Sequence, residues 1–132
     1  MRLFENPIWT RRLLDLATGI YVASFVTTAI VLRSYDLVHL AAWSLYVIVG
    51  RLIFIRRSGN LVGLALVCAA AIRSFNAAGL VTAEALFSGG REDAAAWVTL
   101  VTVTPFFVMT WLVGAVWLLF PDGRLNSTRD RR

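Results

Sequence analysis

Residues Ala94–Phe120 run for 27 positions without a charge, and the run stops at Pro121-Asp122-Gly123-Arg124. Backbone amides and carbonyls inside hydrocarbon must find partners within the chain, and ~20 apolar residues in a helix cross a bilayer core. An uncharged run of this length therefore reads as a spanning helix. Its exit is sharp. Pro121 donates no backbone hydrogen bond and drives Phe120 out of helical geometry. Asp122-Gly123 is a turn pair, and Arg124 fixes a charge at headgroup level. Three further apolar runs precede it, at about 13–32, 37–55 and 61–87. The expectation is an all-α polytopic membrane protein with four transmembrane helices, at about 12-33, 37-56, 60-88 and 94-120. These make one four-helix membrane domain over residues 1-132, with 121-132 as a cytoplasmic tail.

Composition excludes most of the alternatives. The chain is 58% hydrophobic with a mean hydropathy of +0.70, whereas a soluble domain is about 45–50% apolar. Little sequence is left for a soluble domain. All 13 basic residues are arginines, and the formal net charge is +5. They sit mostly at helix ends rather than in one patch, so anionic lipid headgroups are the expected counterpart and nucleic acid is not. Cys68 is the only cysteine, which rules out a disulfide within the chain. His39 is the only histidine and has no second His or Cys placed to share a metal, so neither a metal site nor a cofactor is expected.

The arginines also set an orientation. Arg2, Arg11, Arg12, Arg51, Arg56, Arg57, Arg124, Arg129, Arg131 and Arg132 fall on one side. The other side holds Arg33 and Arg91 with Asp36, Glu84, Glu92 and Asp93. Positive charge collects in the cytoplasm, which places both termini there.

Within the spans, Asp15 follows Arg11 and Arg12 at helical spacing, which favours an ion pair on one face at the interface. The competing reading is a carboxylate facing the bundle interior, as a small proton-coupled carrier would need. Gly19, Ala23 and Thr27 form a small-residue stripe suited to close helix approach. Arg73 lies 13 residues past Asn60, or ~20 Å along a helix, in the outer half of the bilayer. Arginine near the membrane centre costs about 2.5 kcal/mol or more. Arg73 is thus expected to face the bundle or a wet mouth, with snorkelling to the headgroups as the alternative. Asn76, Leu80 and Glu84 continue its face. Arg73, Asn76, Glu84 and His39 form the candidate outer polar pocket. Pro105 should bend the fourth helix and strip the Val101 carbonyl of its usual donor, making it a candidate hinge. The Thr102 and Thr104 hydroxyls are placed to serve backbone groups freed there.

Two motifs carry a resemblance. Arg57-Ser58-Gly59-Asn60-Leu61-Val62-Gly63 resembles the R-x-x-N-x-x-G opening of a membrane helix. Leu119-Phe120-Pro121-Asp122-Gly123-Arg124-Leu125 resembles the LFPDGRL exit that follows one helix later. The pair, over about residues 37–126, is similar to the N-terminal membrane-sensing region of a group of bacterial sensor histidine kinases. The resemblance implies a multi-pass sensory input domain in the bacterial inner (cytoplasmic) membrane, with Pro121, Asp122, Gly123 and Arg124 coupling it to cytoplasmic machinery. This sequence has no phosphoacceptor His region and no Gly-rich nucleotide loop. A non-catalytic sensory or regulatory module is therefore expected, either a stand-alone relative, a truncated product or a subunit. The alternative is an accessory or scaffold subunit of a larger membrane complex, and a small dimeric carrier ranks below it. The expected partners are the lipid bilayer and a membrane protein or second copy of the chain.

Overall fold

The computed structural model describes residues 7–31, 37–57 and 60–119. They form four helices: α1 (Pro7–Val31), α2 (Leu37–Arg56), α3 (Leu61–Ser88) and α4 (Glu92–Leu119). No strand occurs among the described residues. Three helices hold segments long and apolar enough to cross a membrane: Ile8–Ile30, Leu61–Ser88 and Glu92–Gly114. The chain is an all-helical, membrane-associated protein.

Helix ends follow local chemistry. α1 starts at Pro7, five residues before the expected start at 12, so Trp9 and Arg11 are helical as well. Proline suits a first helical position because its missing N–H would have no partner there anyway. Asn60 caps α3: its Oδ1 accepts from the backbone N–H of Val62 at 2.9 Å and of Gly63 at 3.4 Å. The α3–α4 connection is shorter than the gap expected between helices at 60-88 and 94-120. Ser88 closes α3, and Glu92 and Asp93 already lie in the first turn of α4, where the helix dipole favours carboxylates. Gly90 takes φ +74 in this turn, a left-handed conformation that costs glycine nothing. Its N–H donates to Phe87 O at 3.0 Å, and that of Arg91 to Leu86 O at 2.9 Å.

The helices do not close into a ring. α3 is a spine that packs against α1, α2 and α4; α1 and α2 touch only marginally, and α4 touches α3 alone among the described helices. Half of α3 is buried, 14 of its 28 residues, whereas only Ala95 and Thr102 are buried in the α4 span. α3 can fill this central position because its packed surface is small: Gly63, Ala65, Ala69, Ala70, Ala71, Ala77, Ala78, Gly79 and Ala83 are all buried. Inside lipid, burial of apolar area does not draw helices together, so close van der Waals approach must.

Two approaches are very tight. A Cβ added to Gly50 of α2 would lie 2.7 Å from the Gly63 carbonyl oxygen of α3. A Cβ added to Gly79 of α3 would overlap the side chain of Thr102 in α4. The R-x-x-N-x-x-G pattern thereby gains a physical meaning: Asn60 caps the helix and Gly63 admits α2. The remaining core joins Leu14, Ala17 and Tyr21 of α1, Val47 and Phe54 of α2, and Leu64, Val67, Ala70 and Ala71 of α3. The Tyr21 and Ser44 hydroxyls meet at 2.6 Å, tying α1 to α2. The small-residue stripe expected on α1 does not pack here. Gly19, Ala23 and Thr27 are exposed, while Thr10, Leu14, Ala17, Tyr21, Ser24 and Thr28 form the buried seam.

Candidate functional site

A connected set of polar groups inside the apolar body sits where α3 meets α4. Arg73 is half-buried, and its Nη1 donates to Asn76 Oδ1 at 3.5 Å. Asn76 is buried, and its Nδ2 donates to the backbone carbonyl oxygen of Thr102 at 3.1 Å. Thr102 is buried too, with its hydroxyl shared between Val98 O at 2.8 Å and Thr99 O at 3.3 Å. Gly79, one turn beyond Asn76 on α3, brings the backbones close enough for this bond. The result is a relay from a guanidinium, through a carboxamide, to the main chain of the neighbouring helix.

The acceptor lies in a turn that its own helix holds weakly. Pro105 has no N–H for the Val101 carbonyl, and its ring crowds the turn before it. α4 nevertheless continues as one helix through Pro105. Neither threonine serves Val101. The Thr102 hydroxyl goes to Val98 and Thr99, and the Thr104 hydroxyl goes to Leu100 O at 2.7 Å. Asn76 of α3 bonds the next carbonyl along, that of Thr102, and so holds α4 beside the proline turn. An interhelical hydrogen bond in a membrane averages about 0.6 kcal/mol, but a buried carboxamide stripped of its partner costs about 1–3 kcal/mol. Asn76 thus fixes the register of α4 on α3 more than it adds stability.

The candidate pocket of Arg73, Asn76, Glu84 and His39 divides. Arg73 and Asn76 are joined as described. Glu84 is exposed and lines a separate groove of about 630 Å³ between the end of α3 and the start of α4, with Phe87, Glu92, Asp93 and Thr99. Eleven residues separate Arg73 from Glu84, or ~16 Å of rise, so a shared face does not become a contact. His39 lies in α2, and its side chain is outside the described residues, as are Pro121, Asp122, Gly123 and Arg124.

A second polar contact was not read from sequence. Asp15 pairs across to α2, with Arg51 Nη2 at 3.2 Å from Asp15 Oδ1, and not with Arg11 or Arg12 of its own helix. Arg51 Nη1 donates to Thr18 Oγ1 at 2.8 Å, and that hydroxyl donates to Leu14 O at 2.7 Å. The pair is open to solvent, with side-chain exposures of 35% for Arg51 and 57% for Asp15, so it contributes up to about 1 kcal/mol. The carboxylate that a carrier would need is engaged in joining α1 to α2.

Two basic grooves flank the C-terminal turns of α2. One, of about 520 Å³, lies against α1 and holds Arg11, Arg12, Asp15 and Arg51. The other, of about 310 Å³, leads toward α3 past Arg56, Arg57 and Asn60. Among the described residues, no three His, Cys, Asp or Glu side chains gather as metal ligands. No family model, curated protein or solved structure matches the chain.

Proposed function

We propose that the chain is a non-catalytic sensory or regulatory module of the bacterial inner membrane, working through the seating of α4 on α3. The supporting observation is the single attachment of α4. Among the described helices it touches α3 alone, and it is registered there by the Asn76 amide on the turn before Pro105. A stimulus that moves α3 against the proline turn re-aims the lower half of α4 and the Pro121-Asp122-Gly123-Arg124 exit behind it. In this reading α2 is also a span, since the 20 residues of Leu37–Arg56 measure ~30 Å, the thickness of a bilayer core. With four spans and the arginine distribution, both termini are cytoplasmic.

The test is made in the native host. Deleting the chain, or substituting Asn76→Leu, should change the phosphorylation of at least one response regulator. Unchanged phosphorylation of every response regulator in both strains refutes the sensory reading.

One observation favours a second reading, an accessory subunit of a membrane complex. α4 exposes Trp97, Phe107, Trp111 and Leu118 along its length, a large aromatic and aliphatic surface free for neighbouring helices. Purification in mild detergent separates the two. A strictly monomeric chain with no co-purifying protein removes the subunit reading.

A further inference from the structure

We infer that the groove between the first turns of α1 and the last turns of α2 binds one anionic phospholipid, with Arg11 and Arg12 on its phosphate and an acyl chain along Phe54 and Ile55. This inference rests on the membrane placement of α1 and α2 and not on the sensory reading.

The charge balance is the first argument. The groove holds three guanidiniums and one carboxylate. That carboxylate, Asp15, is already engaged by Arg51 at 3.2 Å, and Arg51 also donates to Thr18. Arg11 and Arg12 are exposed and have no carboxylate partner among the described residues. Two guanidiniums lining one groove offer forked donors that match the oxygens of a phosphodiester.

The second argument is level. The spanning segment of α1 begins at Ile8, which puts Arg11 and Arg12 within about one turn of its end, at ~5–6 Å of rise. Arg12 lies over the Trp9 ring, 5.8 Å from its centroid, and Trp is the side chain that settles at headgroup depth. Both arginines therefore sit at the level of lipid phosphates.

The third argument is the wall. Beyond the charges the lining is apolar, with Phe54 buried and Ile55 exposed on α2. A free phosphate has no use for that surface, whereas a lipid places its chain there. The volume of about 520 Å³ lies within the ~300–1,000 Å³ common for small-ligand sites.

The experiment uses the full chain, delipidated in detergent, with bound lipid counted by native mass spectrometry. Phosphatidylglycerol should bind with one tight site, and phosphatidylcholine with the same acyl chains should not. Inorganic phosphate in large excess should fail to displace the phosphatidylglycerol. Arg11→Gln/Arg12→Gln should weaken phosphatidylglycerol binding about tenfold or more, the equivalent of ~1.4 kcal/mol. Arg56→Gln/Arg57→Gln removes as much charge outside this groove and should leave binding unchanged. Ile55→Asn keeps every arginine and should still weaken the lipid. The site is overturned if phosphatidylcholine binds as well, if both arginine pairs lower binding equally, or if Ile55→Asn has no effect. Displacement by inorganic phosphate overturns the lipid assignment in favour of a simple anion site.

Discussion

Adding one methyl group at Gly79 tests the α3–α4 contact. A Cβ there would overlap the Cβ, Cγ2 and Oγ1 atoms of Thr102. Thr102 has little freedom to yield, because it is β-branched and its hydroxyl is bonded to Val98 O at 2.8 Å. Carbon atoms settle ~3.5–4.0 Å apart, so α4 must retreat by about an ångström or more. The Asn76 bond to Thr102 O starts at 3.1 Å and does not survive that retreat. Overpacking costs about 1–3 kcal/mol, and the lost interhelical bond adds about 0.6 kcal/mol. Replacing glycine by alanine in a helix returns up to about 1 kcal/mol. Gly79→Ala should therefore destabilise the fold by about 1–3 kcal/mol net. The assay is a titration of dodecyl sulfate into dodecyl maltoside micelles, followed by circular dichroism and tryptophan fluorescence. Gly19→Ala is the internal control, since nothing lies within 4 Å of a Cβ added there; it should be neutral or stabilising. Thr102→Gly in the Gly79→Ala background should recover part of the loss. The reasoning fails if Gly79→Ala behaves like Gly19→Ala, because helix propensity alone would then account for both.

Three other outcomes follow from the same structure. Gly50→Ala should destabilise by at least as much as Gly79→Ala in the same titration, because its Cβ would meet a backbone carbonyl at 2.7 Å and main chain yields less than a side chain. Asn60→Ala removes the cap of α3 and should cost about 1 kcal/mol, visible as faster amide exchange at Val62 and Gly63; unchanged exchange there would show that the cap is idle. For topology, Arg91→Cys in a Cys68→Ser background should react with an impermeant thiol reagent in intact cells. Labelling only after lysis would place the α3–α4 turn in the cytoplasm and reverse the orientation.

The helices were legible in the sequence to different degrees, for physical reasons. α3 was clear at both ends because Asn60 is a side-chain cap and Ser88-Gly89-Gly90 a glycine-based stop. The start of α1 was not, because hydropathy registers where a chain enters hydrocarbon and not where its backbone begins to coil; Pro7 and the helical Arg11 and Arg12 lie before that point. The buried face of α1 was misjudged from Gly19, Ala23 and Thr27. A helix in lipid is apolar all round, so small residues alone do not say which side meets protein; the seam from Thr10 to Thr28 alternates four and three residues instead. Arg73 and Asn76 were readable as neighbours three residues apart. The Thr102 carbonyl was not, because a main-chain acceptor has no signature in sequence and its position depends on how closely Gly79 lets α4 approach. Glu84 shared a face with Arg73 but not a place, since periodicity reports angle and leaves distance along the axis unspecified.

The single berth of α4 has a consequence for biogenesis. α1, α2 and α3 share one core, whereas α4 follows them in the chain and has one neighbour to join among the described helices. Its docking comes after theirs and requires no repacking of the core those three share. The same separation runs in reverse: α4 can undock while the three-helix body stays intact, giving a partly assembled species with the buried face of α3 exposed. Quality-control proteases of the membrane would meet that species first, so the abundance of the protein in the cell should follow the α3–α4 seam more closely than the stability of the core.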